Sequence, residues 1–126
     1  MAGGYEEAAQ FRSALRRFLR RSEEISRRHG LTPRQYLVLL MIKGEPRGRQ
    51  TATVGELVER LALTQSTVTE LVQRAEDVGL LLRDRDPTDG RVAFIRLSEK
   101  GERLLEAAFE ELGPERESLL AVLRQV

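Results

Sequence analysis

The chain has 126 residues, of which 40% are hydrophobic and 5% aromatic, and its 21 basic and 20 acidic side chains leave a net charge of +1. This length suits about one domain with a small aliphatic core, and such a chain often gains burial by pairing with a second copy. The lack of cysteine excludes disulfides, zinc-thiolate sites and thiol redox sensing, and no stretch approaches the roughly 18 uncharged apolar residues of a membrane helix. Because the start also lacks a secretory pattern, we expect a cytoplasmic protein with no metal, cofactor or membrane partner.

Charge is divided unevenly along the chain. Residues 1–34 carry eight Arg against four Glu, residues 35–97 are balanced at nine of each sign, and residues 98–126 carry four basic and seven acidic side chains. The two ends are therefore opposite in sign. We expect them either to pair with each other, within the fold or across a dimer, or to form two solvated helix faces.

The first predicted element is a long amphipathic helix. Apolar side chains recur at alternating spacings of three and four between Ala8 and Ile25, which predicts a helix from about Glu6 to His29. Gly30 ends it. We expect His29, the only histidine, to cap this helix rather than to act as a ligand or a base.

Two capping boxes predict the next two helices. Thr32 precedes a Pro at the first helical position and a Gln at the third, so a helix is expected over about 33–43. Thr53 and Glu56 repeat this pattern and predict a short helix to Leu61.

Thr64 is the next N-cap, and it opens a helix that runs to about residue 78 after a tight turn. Its apolar residues fall on one face that should pack on the preceding helices, namely Val68, Leu71, Val72, Ala75 and Val78. One flank of the opposite surface contains Gln65, Ser66, Thr69 and Gln73. The other flank contains Thr67, Glu70 and Arg74. Such side chains suit base edges and phosphate oxygens, and the alternative is an ordinary solvated face.

A β-hairpin is predicted next. Segments 80–86 and 91–97 are rich in Leu, Val, Phe and Ile, and Arg83 and Arg85 fall on one face by period two. The joining turn, 87–90, ends in Asp-Gly, a pair that favours positive φ at the tip.

The hairpin tip places the long, positively charged side chain of an arginine directly after a glycine. Arg91 follows Gly90, an arrangement that suits insertion into a narrow minor groove, where negative potential is concentrated. We expect Asp89 to hold Arg91 by an ion pair. The alternative is a solvent-exposed salt bridge of little value.

Several motifs together resemble the multiple-antibiotic-resistance regulator family, MarR. They are the runs 61–72, 78–80, 86–91 and 97–101, of which the sharpest are Asp-x-Arg at the tip and the Leu-Ser-x-Lys-Gly that follows it. The resemblance extends over nearly the whole chain, because a long first helix, a Thr-Pro helix and two C-terminal helices flank these motifs as they do in the family.

The resemblance implies a mainly α fold with a small β-hairpin wing in one domain, 1–126. Residues 30–98 would form a winged helix-turn-helix, with dimerisation helices over 5–29 and 99–126. It also implies a homodimeric repressor that binds pseudo-palindromic double-stranded DNA and is released by a small-molecule effector, whose binding residues we do not predict.

The same resemblance implies specific DNA contacts. Helix 64–78 would lie in the major groove and Arg91 in the minor groove, oriented by Asp89. The expected groove contacts are Gln65, Ser66, Thr69 and Gln73. The expected phosphate contacts are Thr67 and Arg74. Arg83 and Arg85 are the expected cations of the wing, beside Arg91.

Two departures leave another function open. Glu70 occupies a position where family members more often carry a neutral or basic residue, although Arg74 at i+4 can neutralise it. The C-terminal section, broken at Gly113-Pro114, also looks short, which would trim the dimer interface. The alternative is a winged-helix protein-interaction module with weak or no DNA binding.

We expect no enzyme, because the chain has one His, no Cys and no Gly-rich loop, and so offers few of the groups that catalysis commonly uses.

Overall fold

The computed structural model describes residues 3–125, which contain six helices and one two-stranded sheet. The elements in chain order are α1 (Gly3–Arg28), α2 (Pro33–Lys43), α3 (Val54–Leu61), α4 (Gln65–Asp77), β1 (Leu81–Arg85), β2 (Ala93–Leu97), α5 (Glu99–Glu111) and α6 (Gly113–Gln125). This is the predicted mainly α fold with a β-hairpin wing. Residues 1, 2 and 126 of the predicted domain lie outside the described part of the chain. Within that part, none of the helices has the length and apolar character that crossing a membrane requires.

Both predicted capping boxes are present. The Thr32 hydroxyl accepts the Gln35 backbone N–H at 3.1 Å, and the Gln35 side chain accepts the Thr32 N–H at 2.9 Å. Thr53 and Glu56 make the same reciprocal pair at 3.2 and 2.9 Å. Each box satisfies N–H groups that have no partner inside the helix, and so fixes the starts of α2 and α3.

The core is arranged around α2. This helix packs against α1, α3, α4, α5 and β2. Tyr36 is buried in the core, and this burial raises the pKa of its hydroxyl. The predicted apolar face of α4 is correct except at Val78, whose surface is 49% exposed. The reason is that α4 ends at Asp77, so Val78 is the C-cap residue and no longer follows the helical face.

The wing is shorter than predicted. The antiparallel strands pair Leu81 with Leu97 and Arg85 with Ala93, so each strand has five residues and the turn takes up the remainder. Ala52 adds a bridge on the other edge of β2. Its N–H donates to the Ile95 carbonyl at 3.0 Å, and the Ile95 N–H donates to the Ala52 carbonyl at 2.8 Å. The segment before α3 therefore supports the base of the wing.

The Leu-Ser-x-Lys-Gly motif joins α5 to the end of α4. Ser98 Oγ donates to the Gly79 carbonyl at 2.5 Å, and Lys100 Nζ donates to the Val78 carbonyl at 2.8 Å. Gly101 is buried so close to this segment that a Cβ would lie 2.3 Å from the Leu80 carbonyl oxygen. Only glycine fits at this position without a shift of the backbone.

The oppositely charged ends pair within the fold, one of the alternatives that the sequence leaves open. Arg21 Nε lies 3.2 Å from Glu115 Oε1, and Arg28 also pairs with Glu111. His29 Nε2 lies 2.8 Å from Glu111 Oε1, so the expectation that this ring caps α1 was wrong. The hydrogen bond with His29, followed by the charge of Arg28, lowers the pKa of Glu111. These contacts fasten α1 to α5 and α6.

Candidate nucleic-acid interface

The outward surface of α4 is an open polar depression. Five of the predicted DNA-binding residues line it together with Glu70, namely Gln65, Ser66, Thr69, Gln73 and Arg74. All of them are exposed. Apart from Thr67, the two flanks predicted from the helical wheel therefore form one continuous surface along the helix.

Thr67 lies apart from this depression. Its backbone N–H donates to Thr64 Oγ1 at 3.3 Å, and its hydroxyl accepts from the same Thr64 oxygen at 2.9 Å. The side chain is half-buried beside the helix N-cap. A phosphate contact from Thr67 would therefore be made at the N-terminus of α4, where free N–H groups also attract anions.

The charges of the depression are paired along the helix. Arg74 Nη2 lies 2.5 Å from Glu70 Oε1, and Gln73 Nε2 donates to Asp77 Oδ1 at 3.1 Å. An exposed pair at this spacing is worth only about 0.3 to 0.5 kcal/mol. Arg74 can therefore exchange Glu70 for a phosphate, or contact both, at little cost.

The wing tip is closed by one carboxylate. Asp86 Oδ1 accepts the Thr88 hydroxyl at 2.7 Å, the Thr88 N–H at 2.8 Å and the Asp89 N–H at 3.3 Å. The Thr88 hydroxyl, followed by its N–H, lowers the pKa of Asp86. Gly90 does not adopt a positive φ, so the predicted tip conformation was wrong. The reason is that the Asp86 side chain closes the turn without that conformation.

Arg91 and Asp89 form the contact expected from the sequence. Asp89 Oδ1 accepts from the Arg91 N–H at 3.1 Å and from its guanidinium Nε at 3.2 Å. The Arg91 side chain is nevertheless 93% exposed. Because Asp89 engages only Nε, the terminal guanidinium nitrogens remain available to a groove or a phosphate.

The two other wing arginines of the predicted site have different partners. Arg83 contacts Glu76 of α4 at 2.5 Å, so this acid largely offsets its charge. Arg85 Nη1 donates to the Gly90 carbonyl at 2.7 Å, which ties the strand to the tip. Arg91 is therefore the wing cation best presented to a ligand.

Asp86 is the residue of this site that the sequence analysis missed. The signal was present, because an Asp that starts a turn commonly bonds backbone N–H groups two or three residues later.

Comparisons with known proteins identify the family. A family model described as the MarR family matches residues 29–92, about half of the chain. The transcriptional regulator HosA of Escherichia coli O111:H- is 38% identical over 78 residues, which are 62% of this chain and 55% of HosA. The HTH-type transcriptional regulator MhqR of Bacillus subtilis (strain 168) is 31% identical over 100 residues, 78% of this chain and 65% of MhqR. The chain thus spans between about half and two thirds of these relatives.

Solved structures share the fold. A MarR family protein from Bacillus stearothermophilus superposes with a TM-score of 0.81 at 34% identity, over 94% of this chain and 79% of that one. A mutant MarR from E. coli, complexed with operator DNA, has a TM-score of 0.72 at 19% identity, over 94% and 82% of the two chains. The matched family model and the 34% identical structure together show that the chain belongs to the MarR family.

Proposed function

We propose that this protein is a DNA-binding transcriptional regulator, with α4 in the major groove and the wing tip in the adjacent minor groove. The observation that carries the proposal is the exposed Arg91, held by Asp89, on a wing that packs against α4 through the contact of Arg83 with Glu76. The names of the curated relatives, which are transcriptional regulators, support it.

The polar depression on α4 is the proposed recognition surface. Its groove contacts are Gln65, Ser66, Thr69 and Gln73. Thr67 and Arg74 would contact phosphates, since one lies at the helix N-terminus and the other carries an exposed guanidinium. We assign Arg85 to support of the wing tip, because its guanidinium bonds the Gly90 carbonyl.

The protein acts as a homodimer in this proposal, through the end segments 5–29 and 99–126. Exposed apolar side chains on these helices and on α2 support it, namely Leu19, Leu37, Phe109 and Leu123. Within the described chain, no residue of α6 is buried, although this helix is rich in leucine. Two α4 helices spaced by about one turn of DNA, roughly 34 Å, would require a pseudo-palindromic operator.

Repression and release by a small-molecule effector complete the proposal, in the cytoplasm. An apolar crevice between α1, α2 and α5 is the candidate effector site, and its lining includes Phe18, Tyr36, Leu37, Phe109 and Arg116. A dimer that occupies an operator blocks access to the same DNA, which favours repression over activation.

The test is a titration of the purified protein onto fluorescent duplexes, including the region upstream of its own gene, at several salt concentrations. DNA binding predicts that the logarithm of the association constant falls linearly with the logarithm of salt, with a slope of about −0.9 for each phosphate neutralised. A random duplex of equal length is the control for specificity. Absence of binding at low salt would reject the proposal.

The alternative, a winged-helix protein-interaction module, rests on the acidic residues of the same surface. Glu70, Glu76 and Asp77 engage Arg74, Arg83 and Gln73, and because these are three acids against two arginines, the groups have a net charge of −1. A module of this kind would show no binding to any duplex across the salt series, whereas the regulator would bind its operator above the random duplex.

A further inference from the structure

Glu70 occupies the centre of the outward face of α4. Val68 and Val72, two residues before and after it, are both fully buried. At 100° per residue, Glu70 lies directly opposite the midpoint between these two valines. If α4 docks on DNA with its outward face, no side chain of this helix points more directly into the groove.

The carboxylate is exposed and only partly engaged. The Glu70 side chain is 61% exposed, and its Oε1 is held by Arg74 Nη2 at 2.5 Å. Its Oε2 has no hydrogen-bond partner among residues 3–125. One oxygen thus meets a cation that offsets the negative charge, while the other can accept a hydrogen bond from a ligand.

An acid at this position either repels DNA or recognises a hydrogen-bond donor. Phosphates and the major-groove edges of guanine and thymine offer only acceptors, which a carboxylate cannot bond. The donors in the major groove are the amino groups of cytosine and adenine, and adenine places the acceptor N7 beside its amino group. A carboxylate therefore favours the N4 amino group of cytosine, whose own major-groove edge offers a donor alone.

We propose that Glu70 is a specificity-determining residue that accepts a hydrogen bond from the N4 amino group of one cytosine in each operator half-site, with Arg74 as its charge partner. This assignment rests on the proposed DNA-binding function. Asp77, the other acid on this face, is a weaker candidate, because it is the last residue of α4, at the end far from the helix N-terminus.

The test is a binding selection from a randomised duplex library, followed by sequencing, with the wild-type protein and Glu70→Ala and Glu70→Gln variants. Glu59→Gln is the matched control, since it removes the same charge from an exposed position on α3 that does not line the depression on α4. Thermal unfolding of each variant establishes that it is folded. Because Glu70 is exposed, we expect all four proteins to unfold at similar temperatures.

The wild type and Glu59→Gln should enrich the same motif, with a strong cytosine at one position of each half-site. Glu70→Ala should reduce that preference roughly tenfold and leave the other positions unchanged. Glu70→Gln should shift it towards adenine, because an amide can bond adenine N6 and N7 together. The same motif from the wild type and both Glu70 variants would overturn the assignment alone, whereas no enrichment by any of the four proteins would overturn the DNA-binding function with it.

Discussion

One oxygen of Asp89 holds Arg91 twice, since Oδ1 accepts the backbone N–H at 3.1 Å and the guanidinium Nε at 3.2 Å. The two contacts fix both the backbone and the side-chain direction of an arginine that is otherwise surrounded by solvent. An exposed pair of this kind adds little stability. In the proposed DNA complex its value would lie in the orientation of Arg91 before the duplex arrives, which would reduce the side-chain entropy lost on binding.

Replacement of Arg91 by Ala should weaken operator binding by about 1 to 3 kcal/mol at fixed salt, because the wing would lose its best presented cation. Fluorescence anisotropy with a labelled duplex measures the effect. Arg49→Ala is the control, since it removes an exposed arginine from the loop between α2 and α3, outside α4, the wing and the end segments 5–29 and 99–126. Equal affinities for wild type and Arg91→Ala would contradict the minor-groove role.

Replacement of Asp89 by Ala separates orientation from charge. Removal of an acid near DNA should strengthen binding if Coulomb repulsion dominates, whereas loss of the contacts to Arg91 should weaken it. We expect weaker binding, by about 1 kcal/mol, the typical net value of a hydrogen bond. Asp89→Asn should retain most of the affinity, because its amide oxygen can still accept from Arg91. Tighter binding by Asp89→Ala would disprove the orienting role.

The salt dependence of binding should distinguish the wing arginines. Arg91→Ala should make the slope of the log-log salt plot shallower by about 1, because the protein loses one cation that contacts the DNA. Arg85→Ala should lower affinity with little change of slope, since its guanidinium bonds the Gly90 carbonyl. An equal loss of slope in both variants would show that Arg85 also contacts DNA.

Local patterns in the sequence predicted the helices well, and tertiary contacts explain where prediction failed. The capping boxes that begin α2 and α3 involve residues three apart, so the sequence contains both partners. The pairing of Arg83 with Glu76 depends on the packing of β1 against α4, which period-two alternation cannot predict. The Glu45 carboxylate, with 1% of its side chain exposed, has local partners in Arg47 and Arg49, but its contact with Arg60 of α3 at 3.8 Å likewise depends on tertiary packing.

The same limit applies to the candidate site. Helical spacing alone grouped the polar residues of α4 correctly, because they belong to one regular element. The wing tip has no such regularity, and its conformation is decided by the competition between the Asp86 side chain and the preference of Gly90 for positive φ. The side-chain hydrogen bonds prevail here, since three donors converge on one Asp86 oxygen.

Two glycine substitutions should have opposite effects on stability. Gly101→Ala would place a Cβ 2.3 Å from the Leu80 carbonyl oxygen, so we expect the free energy of unfolding to fall by about 1 to 3 kcal/mol or more. Gly90→Ala is the matched control, because its Cβ would meet open space and its φ is not positive. It should leave stability unchanged or raise it by up to about 1 kcal/mol. Urea unfolding followed by circular dichroism measures both, and equal stabilities would contradict the close packing of α5 on the end of α4.

The contact between His29 and Glu111 should make stability depend on pH at the acid end. The folded state lowers the pKa of Glu111, chiefly through the hydrogen bond with His29, so it binds fewer protons than the unfolded chain in that range. This contribution is therefore complete above the ordinary pKa of a glutamate, about 4.3, and is lost as pH falls through the lower folded value. Glu111→Gln should reduce the free energy of unfolding at pH 7 and flatten its decline as the pH falls below about 5. Glu106→Gln, an exposed change on the same helix, serves as the control, and urea midpoints across this pH range provide the measurement. If Glu111→Gln and the wild type lose stability in parallel, the contact does not fasten α1 to α5 in solution.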